Sequence, residues 1–577
     1  MKMEIILEFE VAFPNEKPKT VKDYLVGGDR EMILNAAAFL LGFRNQNSLF
    51  DDPGEALSMF FGAENKGIAA SVYQQIKQNF HPSSQVTIFN AFSSLELFEI
   101  IFSSEPTETT QSQAELEVNL FKALLVLNSN FTSKQQIAFE STNGLDSDLL
   151  IPMRMFCMSY YTSDKENYNI YEVWVSQFIK AIYLFEFLES SQPTKPLLSA
   201  FLTYFNCGTW EEYLKRLLPL TFSMIKQERE AHTDIVIPPG ENFDSDCAFI
   251  EKLMITEEDD MELDDFLALR AKPMYKVSPG VYRIIFGLFA VEKIFKGVYF
   301  LMRDINKNLP NTNKISNLKS LFGDEFSEKI LFYEIIKVIY PNNCISFSGQ
   351  QLGDMKIDGA PDYYIRRGKD ILLFESKDFL IPASVKESFD YAQYENEFEK
   401  KLYFVEENGK EKPKAVMQLI NSVKKILTMQ FQADKDYRYR EVSIYPILLT
   451  HDYQYDTFGF NQLIDYWFQA ELDILRNEGL YVHRVQPLTV VNIDSLIYHQ
   501  MTLQKYVSLH EMLKMYHRDA LNTRMKKFQS VKEKEAYIRQ RKMNPFSVFL
   551  ENYVFANNLQ ELPPMLENKG FTLFKNQ

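Results

Sequence analysis

The chain has 577 residues, 46% of them hydrophobic and 24% charged, and a formal net charge of −16. This length is too great for a single hydrophobic core, so roughly two to four domains are expected. The acidic balance excludes a protein coated in positive charge, although a local basic groove stays open. Its four cysteines form no C-x-x-C pair, which excludes a zinc ribbon and a disulfide framework and fits a reducing compartment.

The hydrophobic stretches give no indication of export or membrane insertion. The first residues, MKMEIILEFEVAF, carry three glutamates and do not resemble a signal peptide. The most apolar long run, 281–302, is interrupted by Arg283, Glu292, Lys293 and Lys296, so it is not expected to span a bilayer. We therefore predict a cytoplasmic protein without a membrane partner.

Hydrophobic periodicity predicts four segments along the chain. Residues 1–235 form a mainly helical region, and 236–314 form a mixed connecting region with an acidic loop (257–265) and a hairpin. Residues 315–500 mix helices and strands, and 501–577 form a helical extension. Helices are predicted at 31–43, 114–127, 171–188, 210–227, 326–340, 415–429 and 461–475, and strands at 442–450 and 484–493.

The strongest functional signal is the segment 359–379, GAPDYYIRRGKDILLFESKDF. It predicts two strands joined by a tight turn at Gly368, which supplies the positive φ that such turns need. Side chains alternate along a strand, so Glu375 and Lys377 point to one face while Phe374 and Ser376 point to the other. In the register that pairs Asp362 with Glu375, two carboxylates and an ammonium meet at the end of the hairpin.

Those residue types are suited to hydrolysis assisted by a hard divalent cation. Mg²⁺ prefers oxygen ligands and is usually held by one or two carboxylates together with waters and substrate phosphate. Asp362 and Glu375 are suitable ligands, with the Ser376 carbonyl as a third. A bound metal lowers the pKa of its water, and Lys377 could position that water. The alternative is a hairpin that exposes a glutamate and a lysine without catalytic use.

The Pro361-Asp362 and Glu375-Ser376-Lys377 motifs resemble the signature of the PD-(D/E)XK nuclease superfamily. The core of that family runs helix, three-stranded meander, helix, strand, and the predicted order over about 316–450 resembles it. The resemblance implies a metal-facing glutamate on the first helix, where Glu334 matches by position and Glu328 is a second choice. It also implies a glutamine on the helix after the hairpin, matched by Gln418. The long separation of Lys377 from Gln418 predicts an insertion over 386–414.

Other polar residues have weaker claims on the site. His451 and Asp452 follow a predicted strand, and their position at the end of that strand is enough to explain their polarity. Arg366, Arg367 and Lys369 lie at the hairpin turn, away from Asp362, and could grip substrate there. The stretch 524–542 carries eight basic residues against two acidic ones, which is typical either of a helix that follows a phosphate backbone or of a solvated helix face.

The sequence thus predicts an α/β restriction-endonuclease-like core, a mixed sheet flanked by helices, between a large helical N-terminal region and a helical extension. The resemblance implies a Mg²⁺-dependent (alternatively Mn²⁺-dependent) endonuclease acting on nucleic acid, with DNA favoured and bacterial defence as a setting. Two alternatives stay open: an RNA-directed nuclease, and a binding or assembly protein that keeps the fold without cleaving. A protein partner or activator of the N-terminal region, and a homo-oligomer, also stay open.

Overall fold

The chain divides into two compact units, Met1–Ile137 with Ser199–Leu301, and Ala138–Leu198 with Met302–Gln577. The units cut across the four predicted segments, because the helices Ser147–Glu166 and Ile170–Ser190 pack on helices of the C-terminal half. The computed structural model describes residues 5–44, 52–82, 84–166, 168–225, 232–256, 259, 265–357, 359–407, 410–521, 543–570 and 573.

The first unit is mainly helical and contains two small sheets. Strands β1 (Ile5–Ile6) and β2 (Val86–Thr87) pair in parallel, and β3 (Asp234–Val236), β4 (Met274–Ser278) and β5 (Val281–Ile284) form an antiparallel sheet in the order β3-β5-β4. Its helices are Phe9–Ala12, Val21–Leu25, Arg30–Arg44, Pro53–Phe60, Lys66–Asn79, Ala91–Phe102, Trp210–Ile225, Phe243–Glu251, Leu267–Ala271 and Gly287–Glu292, with a 3₁₀ turn at Ala63–Asn65. The helices Gln113–Ser141, Lys195–Tyr204 and Lys296–Asn308 run across the boundaries between the units.

The second unit is built on a five-stranded mixed sheet. Its strands are β6 (Ile345–Ser348), β7 (Tyr363–Arg367), β8 (Asp370–Lys377), β11 (Ser443–Thr450) and β12 (Thr489–Asn492), in the order β12-β11-β8-β7-β6. β12, β11 and β8 are parallel, and β8, β7 and β6 are antiparallel to one another. Strands β9 (Phe404–Glu407) and β10 (Lys410–Pro413) form a separate hairpin.

Helices surround this sheet, so the prediction of a mixed α/β unit is confirmed. The helices wholly within the second unit, besides the two already named, are Leu318–Ser320, Tyr333–Ile339, Gly349–Asp354, Ala383–Lys386, Tyr391–Phe398, Ala415–Leu427, Phe460–Asn477, Ile493–Lys505, Leu509–Tyr516 and Phe546–Ala556. π-helical turns occupy Leu321–Phe332, Glu399–Tyr403, His517–Leu521 and Leu566–Gly570, and a 3₁₀ turn occupies Tyr453–Tyr455.

The strand predicted over 442–450 is confirmed as β11, which lies between β12 and β8 in the sheet. Every residue of β11 after Ser443 is buried, as is the middle of β8, and strands covered on both faces read as continuous Ile, Leu and Val. The sequence predicted no helix or strand between the helix 326–340 and the hairpin, whereas the structure places β6 and the helix Gly349–Asp354 there. β6 is a short edge strand with little apolar character (Ile-Ser-Phe-Ser), so its periodicity is weak.

The predicted insertion 386–414 begins inside the protein. Asp164 accepts hydrogen bonds from Lys165 Nζ at 3.1 Å and from Lys386 Nζ at 3.0 Å, and all three residues are buried. A buried charge is tolerated when an opposite charge and hydrogen bonds compensate its lost hydration. The insertion is therefore anchored to the helix Ser147–Glu166 at its first residue, and its β9–β10 hairpin follows later.

Two predictions concern residues outside the described ranges. These are the acidic loop 257–265, of which only Asp259 and Asp265 are described, and the basic stretch 524–542. Within the described part of the chain, no helix combines the length and the apolar character needed to cross a membrane.

A cluster of acidic side chains in the second unit makes stability depend on pH. Burial, reinforced by the charges of Glu551, Asp456 and Asp494, raises the pKa of Glu172 to about 8. The Nε2 atom of His499 lies 3.6 Å from Glu172 Oε1. However, burial lowers the pKa of His499 to about 4, so that imidazole is neutral and does not compensate the carboxylate.

We predict that Glu172→Gln stabilises the protein at alkaline pH. The folded protein binds a proton at Glu172 that the unfolded chain releases near pH 4.3, so this contribution to stability is lost as the pH rises from about 4 to 8. The variant should gain on the order of 2 kcal/mol at pH 8.5 and little at pH 5, as measured by urea denaturation. Glu406→Gln, at an exposed site, serves as the control; an equal response of both variants would contradict the prediction.

Candidate active site

The predicted hairpin is confirmed as β7 and β8. Gly368 has φ of +61° at the turn, and Tyr363 pairs with Phe374. One step further along this register, Asp362 lies across from Glu375. The two carboxylates therefore meet at the open end of the hairpin, in the arrangement that the sequence predicted.

Lys377 joins the two acids. Its Nζ atom lies 3.1 Å from Glu375 Oε2 and 3.7 Å from Asp362 Oδ2. The side chain of Glu375 is fully buried, whereas those of Asp362 and Lys377 are 20% and 23% exposed. A buried acid thus forms the floor of the site, and two partly exposed groups stand between it and solvent.

Ser376 lies between these residues in sequence and fixes Asp362 through its backbone. The Ser376 N–H donates to Asp362 Oδ2 at 2.7 Å. Within a strand the N–H and the carbonyl of one residue point to the same side, so the Ser376 carbonyl also faces Asp362. The Ser376 side chain points to the opposite face, as predicted, where its Oγ lies 2.7 Å from His451 Nε2.

His451 and Asp452 lie behind the site, as polar residues at the end of β11. Burial, aided by the charge of Lys180, lowers the pKa of His451 to about 3, so its imidazole is neutral. Asp452 accepts a hydrogen bond from the N–H of Gln454 at 3.0 Å and caps a 3₁₀ turn. We assign both residues to the support of the strand end.

A third acid, Glu328, reaches the site from the helical segment before the sheet. This segment, the Glu328 helix, consists of the π-helical Leu321–Phe332 and the α-helical Tyr333–Ile339. Burial and the charge of Asp362 raise the pKa of Glu328 to about 7, against the opposing effects of a hydrogen bond from Tyr333 and the charge of Lys377. Glu328 therefore interacts electrostatically with both groups at the mouth of the site.

Glu334, the acid favoured from sequence, is not brought to the site. It pairs with Lys337 at 2.7 Å and its side chain is 46% exposed. Glu328 lies in the π-helical part of the segment, in which backbone bonds run from residue i to i+5, and its Oε1 accepts a hydrogen bond from Tyr333 Oη at 2.9 Å. An α-helical period extended through this segment therefore assigns the wrong side chains to the face toward the hairpin. Of the two glutamates, the structure favours Glu328 over Glu334 for the site.

Tyr333 and Gly349 are residues of the site that the sequence did not indicate. The Gly349 N–H donates to the Asp362 carbonyl at 2.7 Å. A Cβ atom at position 349 would lie 3.1 Å from that carbonyl oxygen and 3.2 Å from Tyr333 Oη. Glycine therefore permits the close approach that holds Asp362 beside the Glu328 helix. A glycine outside any predicted helix or strand does not by itself indicate such a close contact in the sequence.

Gln418 lies in the first turn of the helix Ala415–Leu427, which packs against β8. Its backbone N–H donates to the Lys414 carbonyl at 2.8 Å, and the residue is half-buried. Among the residues that the structure describes, its side chain makes no hydrogen bond. The structure thus places Gln418 on the helix that covers β8, without a hydrogen bond from its side chain to the acids among the described residues.

One ammonium lies beside two carboxyl groups at the site, those of Asp362 and Glu375, and the charge of Glu328 acts on it as well. Burial and the charge of Asp362 raise the pKa of Glu375 well above its ordinary value, although Lys377 opposes this. Burial alone lowers the pKa of Lys377, but Asp362 and Glu375 outweigh it and leave that pKa raised. Lys377 is therefore cationic, and in the absence of a further cation the raised pKa of Glu375 favours its protonated form.

The fit of a divalent cation rests on one buried atom. Glu375 Oε1 is buried and accepts no hydrogen bond from the described residues. Leaving such an atom unpaired is costly. No group of three or more His, Cys, Asp or Glu side chains in the described ranges has the spacing of a metal site. Mg²⁺, however, needs only one or two carboxylates, completed by carbonyl oxygen and water, and Asp362, Glu375 and the Ser376 carbonyl provide that set.

Comparison of the chain with protein-family models, with curated proteins and with solved structures finds no match.

Proposed function

We propose that the protein is a metal-dependent nuclease that hydrolyses phosphodiester bonds. The observation that carries the proposal is the convergence of Asp362, Glu375 and Lys377 at the open end of the β7–β8 hairpin, around a buried oxygen of Glu375 that accepts no hydrogen bond from the described residues. Carboxylates that share a buried site with a lysine are costly to fold, and such arrangements are concentrated at functional sites.

The order of elements in the second unit supports the same proposal. The Glu328 helix precedes β6, β7 and β8, and the helix Ala415–Leu427 leads from them into β11. This is the helix, meander, helix, strand order of the PD-(D/E)XK core that the motif resembles. We therefore propose a restriction-endonuclease-like core in this unit, with Glu328 as the acid contributed by the first helix.

Each residue has a distinct role in the proposed reaction. Asp362, Glu375 and the Ser376 carbonyl would hold Mg²⁺ or Mn²⁺, and Glu328 would face it from the neighbouring helix. When bound, the metal supplies charge stabilisation and an acidified water. Lys377 keeps its proton at Nζ, beside Asp362 and Glu375, where it can orient the attacking water and offset the negative charge that develops on the phosphoryl oxygens.

DNA is the proposed substrate, and defence against foreign nucleic acid is the proposed setting; both follow from the family resemblance. An RNA substrate is the nearest alternative, because the site contacts the phosphodiester and contains no group that reads a base or a 2′-hydroxyl. The alternative from a different functional class is a protein that binds nucleic acid without cleaving it.

Metal binding can be tested without any substrate. We predict that 10 mM Mg²⁺ raises the melting temperature of the protein by about 3 °C, because a ligand that binds only the folded state stabilises it. Glu375→Gln should abolish this shift, since it removes the buried charge that the metal compensates, whereas Glu334→Gln should retain it. Differential scanning fluorimetry with Mg²⁺ and with EDTA measures the effect; an equal shift in all three proteins would contradict the metal assignment.

Cleavage tests the proposal itself. We predict that the protein cuts DNA with Mg²⁺ and not with EDTA, and that Lys377→Ala lowers the rate by about 100-fold or more. Glu328→Gln should also lower the rate, by about 10-fold or more, because it removes a charge from the site. Its matched control, Glu334→Gln on the same helix, should retain the wild-type rate.

The assay is a single-turnover cleavage experiment on matched DNA and RNA substrates. Full activity of Lys377→Ala would contradict the catalytic assignment. Cleavage of RNA alone would identify the RNA-directed alternative. A wild-type protein that binds nucleic acid but cuts neither substrate with Mg²⁺ or Mn²⁺ would favour the non-cleaving alternative or a nuclease that requires an activator.

A further inference from the structure

We propose that the protein holds the backbone of its nucleic-acid substrate at a second place, on a cluster of cations at the end of the sheet opposite the candidate active site. This inference rests on the proposed function and adds where the substrate is held away from the bond that is cut. The cluster, here called the basic edge, consists of Lys369, Arg438, Arg440 and Arg484.

Glu441 gathers three of these cations. Lys369 Nζ lies 2.9 Å from Glu441 Oε2, and Arg438 Nη1 lies 3.1 Å from Glu441 Oε1. Arg484 Nη1 donates to the backbone carbonyl of Glu441 at 3.2 Å. The carboxylate of Glu441 thus pairs with two cations and its backbone carbonyl binds a third, so three positive groups from three different segments of the chain lie around one negative charge.

The cations of the basic edge are open to solvent. The side chains of Lys369 and Arg438 are 70% and 84% exposed, and Arg440 and Arg484 are exposed as well. Exposed ion pairs contribute little to stability, so holding the fold together does not explain the cluster. On a chain of net charge −16, a patch of the opposite sign is suited to attract a polyanion.

Arg440 favours a nucleic acid as that polyanion. Its Nε donates to Tyr439 Oη at 3.0 Å, and its guanidinium carbon lies 5.5 Å from the centre of the Tyr439 ring. This contact holds a planar guanidinium against an aromatic side chain. Arginine and aromatic groups together are typical of surfaces that bind phosphates and stack on bases.

Neighbouring charges define the limits of the basic edge. Arg366, on β7, does not belong to it, because Asp434 accepts hydrogen bonds from its Nε at 2.5 Å and its Nη2 at 3.1 Å. Asp370 lies 3.8 Å from His510 Nε2, and Asp436 is exposed beside Arg438 in sequence. The four cations of the basic edge therefore outnumber the neighbouring acids Glu441, Asp370 and Asp436 by one, so the edge keeps a modest positive excess.

The length of β8 sets the distance between the basic edge and the candidate active site. Lys369 immediately precedes β8, and Glu375 and Lys377 lie at its other end. Eight residues at about 3.3 Å each span roughly 26 Å, which corresponds to roughly eight base pairs of duplex. A substrate must exceed this length to touch both places, so the basic edge should discriminate between long and short substrates.

The test is a charge-reversal variant, Arg438→Glu with Arg440→Glu, compared with Arg303→Glu with Lys307→Glu. The control makes the same change of charge on the helix Lys296–Asn308. Fluorescence anisotropy with a 24-base-pair duplex in EDTA should show the affinity of the first variant reduced about 10-fold, with the control unchanged. The slope of log K against log salt should become shallower by about two, since each lost phosphate contact removes about 0.9.

Substrate length supplies a second readout. With Mg²⁺, the KM for the 24-base-pair duplex should rise about 10-fold in the variant, and the effect should shrink to about twofold for a six-base-pair duplex. Two results would overturn the inference. One is an equal DNA affinity and an equal salt slope in the charge-reversal variant and its control. The other is a charge-reversal variant that loses binding to anionic lipid vesicles but keeps its binding to DNA. Wild-type protein that binds DNA through the basic edge but never cuts it would sustain the inference and contradict the proposed function.

Discussion

The arrangement of the second unit depends on one buried carboxylate. Glu375 lies in the interior on β8, the middle strand of the sheet, with Lys377 beside it and Asp362 opposite. A buried acid is unfavourable unless its charge is compensated or it holds its proton; Lys377 lies beside Glu375 and Asp362, and burial together with the charge of Asp362 raises the pKa of Glu375. The surrounding structure has to hold these groups together against their repulsion, and the rigid pairing of β8 with β7 and β11 does so.

The other parts of the site are supports for this pairing. Gly349 binds the backbone of Asp362 and leaves room for Tyr333, whose hydroxyl in turn holds Glu328. Behind the strand, Ser376 is linked to His451, and Lys180 donates to the His451 carbonyl. Because Lys180 lies on the helix Ile170–Ser190, a helix that precedes the sheet in sequence contributes directly to the position of β8.

The hairpin and its acids could be predicted from the sequence because the patterns that indicate them are local. Gly368 marks the turn, and strand alternation places Glu375 and Lys377 on one face without knowledge of the rest of the fold. Glu328 could not be selected in this way, since the π-helical geometry that presents it is a property of the packed segment. The role of Gly349 depends on contacts with Asp362 and Tyr333, which sequence spacing does not show, and β6 has too weak a pattern to identify. The cations around Glu441 come from three segments, so only the folded chain brings them together.

The central claim is that a divalent cation completes the site around Glu375. Anomalous scattering from crystals of the protein grown with Mn²⁺ measures this directly. The account predicts a peak within about 2.2 Å of oxygen atoms of Asp362 and Glu375 and of the Ser376 carbonyl, with Lys377 Nζ displaced from between the two acids. A map without a peak at these residues, with the Lys377 ammonium still bridging Asp362 and Glu375, would contradict it.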